Sequence, residues 1–483
     1  MKQSLLALTV ALLSGCMTLG PDFKSPETPA ATRYTAQPLQ IEGKPADTGA
    51  QQLQPGVASD RPWWELFQSD ALNALVTQAL AQNRSLAAAG YTLAQAQELA
   101  NARAGSSDPQ VALAGGVGRE KYGDQFLGNS PKPSAFTYFA VGPTVSYALD
   151  YTGGNARSVE QQRALAEYQR QQLGAAYLAV SGMAVMQSLQ AASLRAQITT
   201  LQTLLEQDRE NLKLVQEAYA AGAVSRVDIV SAESQLASDT TLLPPLRQRL
   251  SQAEHALALV LGQAPAAASL PALDLATLTL PQQLPVSLPS ELAHRRPDIL
   301  AAEAELHAAT AAVGMATANL YPRIDLSASF SQQSTTPGKL FASGNDAWSL
   351  TGGLVAPLFD GGTLRAERRA AVDAMQASAA RYQQTVLVAF GQVADALQAL
   401  DHDQDALVAE AGARKAAQDN LDLQRASYHE GATGVLPVLD AQRRLQQASL
   451  DYVRSEAQRY IDTAQLFLAL GGTGPEPRVA AAH

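Results

Sequence analysis

Two periodicities divide the chain between helices and strands. Apolar residues recur every three or four positions over long stretches, which predicts amphipathic helices. We expect these helices within residues 68–105, 153–262, 291–321 and 361–471. Elsewhere apolar and polar residues alternate, and this period of two predicts strand hairpins. We expect the two hairpins within residues 106–152 and 322–360. Their 9 to 12 residue strands match bilayer-spanning strands, although soluble hairpins would alternate in the same way.

The same order of elements occurs twice along the chain. The sequence YAAGAVSRVDIVSAESQL at 219–236 aligns with YHEGATGVLPVLDAQRRL at 428–445. We infer a duplication, with repeats of about 68–262 and 291–471. Two copies are too few for a solenoid.

The predicted helices are too long for a compact domain. Residues 155–219 alone would form a helix of about 100 Å, since each residue of an α-helix adds about 1.5 Å. Apolar residues keep coiled-coil spacing along it, and Asp208 is the one polar residue at a seam position. We therefore predict helices packed side by side as coiled coils.

Four strands in a membrane constrain the number of copies. Single barrels need about eight or more strands, and an open sheet edge in lipid leaves backbone N–H and C=O groups without partners. Several copies must therefore share one barrel. This argument allows eight strands from a dimer or twelve from a trimer.

The N-terminus has the features of a lipoprotein leader. Lys2 and an apolar run of nine residues precede Leu13-Ser14-Gly15-Cys16, which resembles a bacterial lipobox. We predict a signal peptide at 1–15 and a covalent lipid on Cys16, the only cysteine in the chain. Residues 16–67 are then a lipid-anchored extended segment, rich in proline.

Composition argues against several other functions. The net charge of −10 disfavours nucleic-acid binding. No apolar run long enough to cross a bilayer as a helix follows the leader, so we predict no transmembrane helix. Glu303 and His307 share a helix face without a second set of metal ligands, which favours a solvated face. We expect no metal, no enzyme and no cofactor beyond the lipid.

Several segments resemble the outer-membrane efflux lipoproteins, the TolC-like channels of tripartite resistance-nodulation-division pumps. They include WWELFQSDALNALV, ELAHRRPDILAAEAEL and APLFDGGTLRAERRAA. The resemblance implies a homotrimer with a twelve-stranded barrel, four strands per chain, in outer-membrane lipid. A long periplasmic coiled-coil barrel of helices continues from it. Residues 263–290 and 472–483 would be equatorial segments of this α+β membrane protein.

The resemblance also implies partners and a function. A periplasmic membrane-fusion adaptor and an inner-membrane pump would deliver drugs or other toxic small molecules, and this protein would be their passive exit duct. A channel for proteins or metal ions remains an alternative, as does a non-conducting structural lipoprotein of the periplasm. Conductance in a planar bilayer separates the last from the channels.

The helical turns farthest from the barrel are the candidate gate. By resemblance, Asp440 and Leu436 match gate positions, and Asp228 lies near the equivalent place in the first repeat. Asp228 also completes a capping box with Ser225. Small tip residues would contact the adaptor, although glycine also simply ends helices. These tip residues are Gly222, Ala223, Val224, Ser225, Gly431, Ala432, Thr433 and Gly434.

Overall fold

The computed structural model describes most of the chain, as two compact units. The described residues are 18–27, 31, 33–36, 51–56, 61–121 and 134–472. The first unit comprises Met1–Pro26, Thr92–Arg170 and Ala301–Gln383, and the second Glu27–Tyr91, Gln171–Leu300 and Gln384–His483. The predicted signal peptide, Cys16 and all of the segment 472–483 except Gly472 lie outside the described residues.

Helices and strands alternate along the chain much as the two periodicities indicate. The helices are α1 (Asp70–Gln82), α2 (Arg84–Gly105), α3 (Gly154–Ala220), α4 (Arg226–Thr240), α5 (Leu243–Val260), α6 (Pro289–Leu292), α7 (Pro297–Ala318), α8 (Thr363–His429) and α9 (Val435–Ala469). The strands are β1 (Gln52–Pro55), β2 (Gln110–Glu120), β3 (Phe136–Leu149), β4 (Gln283–Val286), β5 (Arg323–Ser334) and β6 (Asp346–Val355). None of the helices in the described part of the chain is both long and apolar enough to cross a bilayer.

Two of the predicted helical stretches are interrupted, one of them at the Pro244–Pro245 pair whose sequence predicts a kink. Asn83 separates α1 from α2, and its Oδ1 accepts hydrogen bonds from the backbone N–H groups of Ser85 and Leu86. Asn83 thereby caps the start of α2 while its side-chain amide donates to the Val260 carbonyl at 2.9 Å. The break between α4 and α5 precedes Pro244 and Pro245, since proline lacks the N–H that a continuing helix needs.

The first unit contains a four-stranded antiparallel sheet. Its strand order is β2-β3-β5-β6, so β2 and β6 are its edges. Paired residues share a face, and the register gives the sheet one apolar and one polar face. The apolar face carries Val111, Leu113, Phe139, Val145, Leu326, Phe330, Trp348 and Leu350. The polar face carries Ser146, Ser327, Ser329, Ser349 and Thr351.

Gly142 of β3 lies directly against the backbone of β5. Pairing runs to Val141 opposite Gln332 and resumes at Thr144 opposite Ser329. A Cβ placed on Gly142 would lie 2.0 Å from the Phe330 carbonyl oxygen. Only glycine therefore allows this approach of the two backbones.

The N-terminal segment contacts the junction of β3 and α3 within the first unit. The backbone N–H of Leu19 donates to the Thr152 carbonyl at 3.0 Å. Arg157 of α3 is almost fully buried and forms an ion pair with Asp22 at 2.6 Å, while its Nε donates to the Leu19 carbonyl. These contacts connect the segment to the first turn of α3.

Glu303 and His307 do not form the solvated face expected from the sequence. His307 stacks on Phe23 at 4.3 Å between ring centroids, and its Nε2 lies 2.9 Å from Glu160 Oε1. The Glu303 carboxylate accepts a hydrogen bond from Ser25 Oγ. The face of α7 carrying both residues therefore binds the N-terminal segment, which is far away in sequence.

An aromatic core occupies part of the second unit. Trp63 and Phe67 are buried and contact Phe467 of α9. Beside them β1 pairs in parallel with β4, so the N-terminal segment and the proline-rich crossing form a small sheet. Neither strand was expected from the sequence, because each has only four residues and no clear alternation.

The RRPD sequence at 295–298 has a structural role in the second unit. Arg296 is buried, and its guanidinium donates to Asp298, to the Ala469 carbonyl and to Gln392. One side chain thus connects the start of α7 to the end of α9 and to α8. A buried guanidinium requires such a set of acceptors, which explains the Asp two residues later.

We expect Gly142→Ala to destabilise the first unit by about 1–3 kcal/mol, because the added methyl group overlaps the β5 backbone. Thermal loss of β-sheet circular dichroism in detergent measures the effect. Gly116→Ala in β2 is the matched control, since its Cβ meets nothing within 4 Å. Equal midpoints for the two variants would contradict the steric explanation.

Candidate functional site at the helical tips

The two predicted tips have the same backbone turn. Gly222 and Gly431 both have a positive φ, in the left-handed region that favours glycine. The N–H of Gly222 donates to Tyr219, and that of Ala223 donates to Ala218. The second repeat forms both bonds at the corresponding residues, which is the Schellman pattern that ends a helix. The tip glycines therefore have the helix-ending role considered above.

Asp228 caps the helix that leaves the first tip. Its Oδ2 accepts hydrogen bonds from the backbone N–H and the hydroxyl of Ser225, both at 2.8 Å. A carboxylate in the first turn of α4 also interacts favourably with the helix dipole. The capping box predicted from Ser225 and Asp228 is confirmed, so this carboxylate stabilises α4 whatever else it does.

An apolar cluster behind the tips joins the two repeats. Its buried members are Val215 of α3, Ala232 of α4, and Val435 and Leu439 of α9. Leu212, Val224, Ile229 and Tyr428 pack around them. The hairpin α3–α4 and the hairpin α8–α9 therefore lie side by side at this end of the second unit.

Asp440 and Leu436 lie on the first turns of α9, near this cluster. Leu436 is half exposed, unlike the buried Val435 beside it. The Asp440 carboxylate pairs with Arg443 at 2.9 Å and with Arg444 at 2.8 Å. The hydrogen bond from Arg443 lowers the pKa of Asp440 below its ordinary value. Asp440 is thus anionic at neutral pH, and both arginines belong to its own helix.

A buried polar cluster lies behind the tip cluster. It centres on an acid pair, Asp208 of α3 and Asp239 of α4, both about 6% exposed. Gln442 of α9 donates from Nε2 to Asp208 Oδ1 at 2.8 Å, and Asn211 donates to Gln442 Oε1. Gln235 donates to Asp239 Oδ2 at 2.7 Å. The cluster connects both repeats through polar contacts.

Burial of the acid pair changes its protonation. Burial, with the nearby Asp239 carboxylate as a second cause, raises the pKa of Asp208 to about 7. The Asp208 carboxyl therefore keeps its proton to a higher pH than an exposed aspartate does. A second such pair joins Asp403 of α8 to Asp462 of α9, where burial raises the pKa of Asp403 to about 7.

Sequence reasoning found Asp208 only as a polar residue at a seam position. An acid at such a position signals a buried partner, because an unpaired carboxylate in a seam is costly. The identity of the partner depends on which helices meet, so Asp239 and Gln442 carry no signal of their own. The two candidate gate carboxylates, by contrast, are each engaged within their own repeat.

A known protein family matches the chain twice, once in each repeat. The family described as outer membrane efflux protein matches residues 75–263 and 288–472, one match for each repeat. The chain belongs to the outer membrane efflux protein family. It is therefore an efflux protein of the outer membrane, and the prediction of its family and location is confirmed.

Individual relatives extend over nearly the whole chain. The pyoverdine export outer membrane protein OpmQ of Pseudomonas aeruginosa is 31% identical over 473 residues, covering 96% of each chain. The probable outer membrane lipoprotein SilC of Salmonella typhimurium is 29% identical and covers 98% of this chain and 99% of its own. The solved outer-membrane channel OprN superposes with a TM-score of 0.85 at 28% identity, over 94% of this chain and 99% of that chain. OpmQ is named as an export protein, SilC as a lipoprotein and OprN as a channel, and all three are named as proteins of the outer membrane.

The acid pair makes the efflux protein less stable as pH rises. The folded protein keeps a proton up to about pH 7, whereas the unfolded chain loses it near the ordinary value of 3.8. The stability from this proton is complete below pH 3.8 and is lost as pH rises to about 7. We expect Asp208→Asn to raise the thermal unfolding midpoint at pH 8 by a few degrees, and by less at pH 5.

Circular dichroism in detergent at the two pH values measures this difference. Asp419→Asn on the exposed surface of α8 is the control, since it removes the same charge outside the buried cluster. A shift of equal size at pH 5 and pH 8 for Asp208→Asn would show that the acid pair holds no extra proton.

Proposed function

We propose that this efflux protein is the passive exit duct of a tripartite pump. An inner-membrane pump and a periplasmic adaptor would deliver drugs or other toxic small molecules into it. The observation that carries the proposal is the family match to both repeats, which contain the helical hairpins and the four strands. OpmQ, named as an exporter of pyoverdine, supports a small-molecule cargo for this chain.

In this proposal three copies assemble as a homotrimer with a twelve-stranded barrel. The sheet of one chain has four strands, with one apolar face suited to lipid and one polar face suited to water. Its edges β2 and β6 need backbone partners in hydrocarbon, which further copies supply. The choice of three copies over two follows the resemblance to TolC-like channels, whose helices continue as a periplasmic tube.

We further propose that Cys16 carries the lipid that anchors the chain. The hydrogen bond from Leu19 to Thr152 supports this proposal, because Thr152 follows the end of β3. Cys16 precedes Leu19 by three residues, a reach of about 10 Å. Acyl chains on Cys16 would then enter the same membrane as the strands. The description of SilC as a lipoprotein is a second support.

The tips would form the periplasmic gate and the adaptor contact. Three Asp440 carboxylates, each paired with Arg443 and Arg444, would place a ring of charged groups around a narrow bore, while Leu436 would narrow the same opening. Asp228 would add a second ring. A Cβ at Gly222, Gly431 or Gly434 would meet nothing within 4 Å, so these turns have open space for an adaptor hairpin.

Loss of the protein tests the proposed function directly. We expect cells lacking it to accumulate a fluorescent efflux dye, because the pump then has no route through the outer membrane, and the restored wild-type gene to reverse this. The purified protein should also conduct ions in a planar bilayer and co-purify with an adaptor and a pump. Normal dye efflux in the deleted cells, with no conductance, would exclude an exit duct.

We expect Asp440→Ala to raise the mean conductance of single channels in planar bilayers. The substitution removes the ring of carboxylates and the ion pairs that each one forms with Arg443 and Arg444. Asp451→Ala is the matched control, since Asp451 pairs with Arg454 in the same way, at 3.1 Å, farther along α9. If both variants conduct like the parent, Asp440 does not restrict the opening.

A further inference from the structure

The two hairpins of the sheet are structural copies of each other. In the first, Gln110 of β2 lies opposite Ser146 of β3, and in the second, Arg323 of β5 lies opposite Val355 of β6. Superposing these pairs also matches large apolar residues of the two repeats. The matched residues are Val111 with Ile324, Leu113 with Leu326, Val117 with Phe330, Phe139 with Trp348 and Val141 with Leu350.

The β3–β5 pair shows how two hairpins join. There the second strand of one hairpin meets the first strand of the next, antiparallel and in a defined register. The two edge strands have the same relation, because β6 is the second strand of its hairpin and β2 is the first strand of its hairpin. We propose that β6 of one copy pairs with β2 of the next copy in the register that β3 and β5 use. This inference rests on the proposed homotrimer and adds the geometry of its contact.

The internal pair then specifies each contact between copies. In the β3–β5 pair, Val145 lies opposite Ala328. Leu354 of β6 corresponds to Val145, and Gly115 of β2 corresponds to Ala328, so Leu354 would lie opposite the partner subunit's Gly115. Ser146 opposite Ser327 translates into Val355 opposite the partner subunit's Ala114.

The faces of the two edge strands agree with this register. Trp348, Leu350 and Leu354 lie on the apolar face of β6, and Val111, Leu113 and Val117 on the apolar face of β2. The proposed pairs place both sets on one continuous face. A slip of one residue would turn every apolar side chain of one copy towards the polar face of the other.

The same register accounts for an exposed residue outside the sheet. Leu149 opposite Ile324 translates into Leu358 opposite the partner subunit's Val111. Leu358 lies three residues beyond the end of β6 and is 97% exposed, and Val111 is 72% exposed. Pairing between copies would therefore lengthen β6 to Leu358 and cover both side chains, with Pro357 donating no hydrogen bond to the added ladder.

Paired cysteines test the register, because Cys16 is the only native cysteine. The register variants are Val355→Cys with Ala114→Cys, and Leu354→Cys with Gly115→Cys. Neighbouring pairs alternate between hydrogen-bonded and non-hydrogen-bonded sites, so at least one suits a disulfide. Within one chain these positions lie three strand spacings apart, about 14 Å, which excludes an internal bond.

The control variants keep the face and slip the register by two residues. They are Val355→Cys with Ala112→Cys, and Val355→Cys with Gly116→Cys. After mild oxidation of membranes, we expect at least one register variant to lose its monomer band on a denaturing, non-reducing gel and to form a covalent trimer. The slipped variants should keep their monomer bands. Leu358→Cys with Val111→Cys should form the trimer too if β6 lengthens.

The outcomes separate this inference from the proposed function. A covalent trimer from a slipped variant, or from none of the register variants while the protein still conducts, overturns the register and leaves the exit duct intact. If a register variant forms the covalent trimer but Leu358→Cys with Val111→Cys forms no disulfide, only the lengthening of β6 is overturned. A monomer that conducts nothing overturns both the register and the exit duct.

Discussion

Backbone hydrogen bonding in hydrocarbon is the constraint on which the rest depends. A four-stranded sheet with one apolar face has two edges whose N–H and C=O groups need partners, and lipid supplies none. In the proposed barrel, one chain of this efflux protein would therefore leave two sheet edges for neighbouring copies to pair with. The duplication offers a solution, because the contact between its two hairpins is a pattern that further copies can repeat.

The second unit uses the duplication differently. The two tip turns have equivalent glycines and the same backbone bonds, yet the polar side chains near them differ between repeats. Asp228 caps α4, whereas Asp440 pairs with two arginines of α9. The two repeats therefore share one backbone turn but place their carboxylates in different contacts, a helix cap in the first repeat and an ion pair with two arginines in the second.

Buried acids accompany the helices that join the two repeats. The acid pair meets Gln442 of the other repeat, and a second pair lies between α8 and α9. Replacing such groups by apolar residues would often stabilise a protein. Polar contacts require one alignment of the helices, and their strength varies with pH.

Local patterns determined much of this protein from sequence alone. Alternation and helical periodicity set the element order, glycine set the tip turns, and Ser225 with Asp228 set a helix cap, because each depends on neighbours in the chain. Tertiary structure decided what distant residues meet. The stacking of Phe23 on His307, the β1–β4 pair and the partner of Asp208 each join residues far apart in sequence, where periodicity contains no information about contact. The acid at position 208 signalled that a partner exists, but only packing chose Asp239.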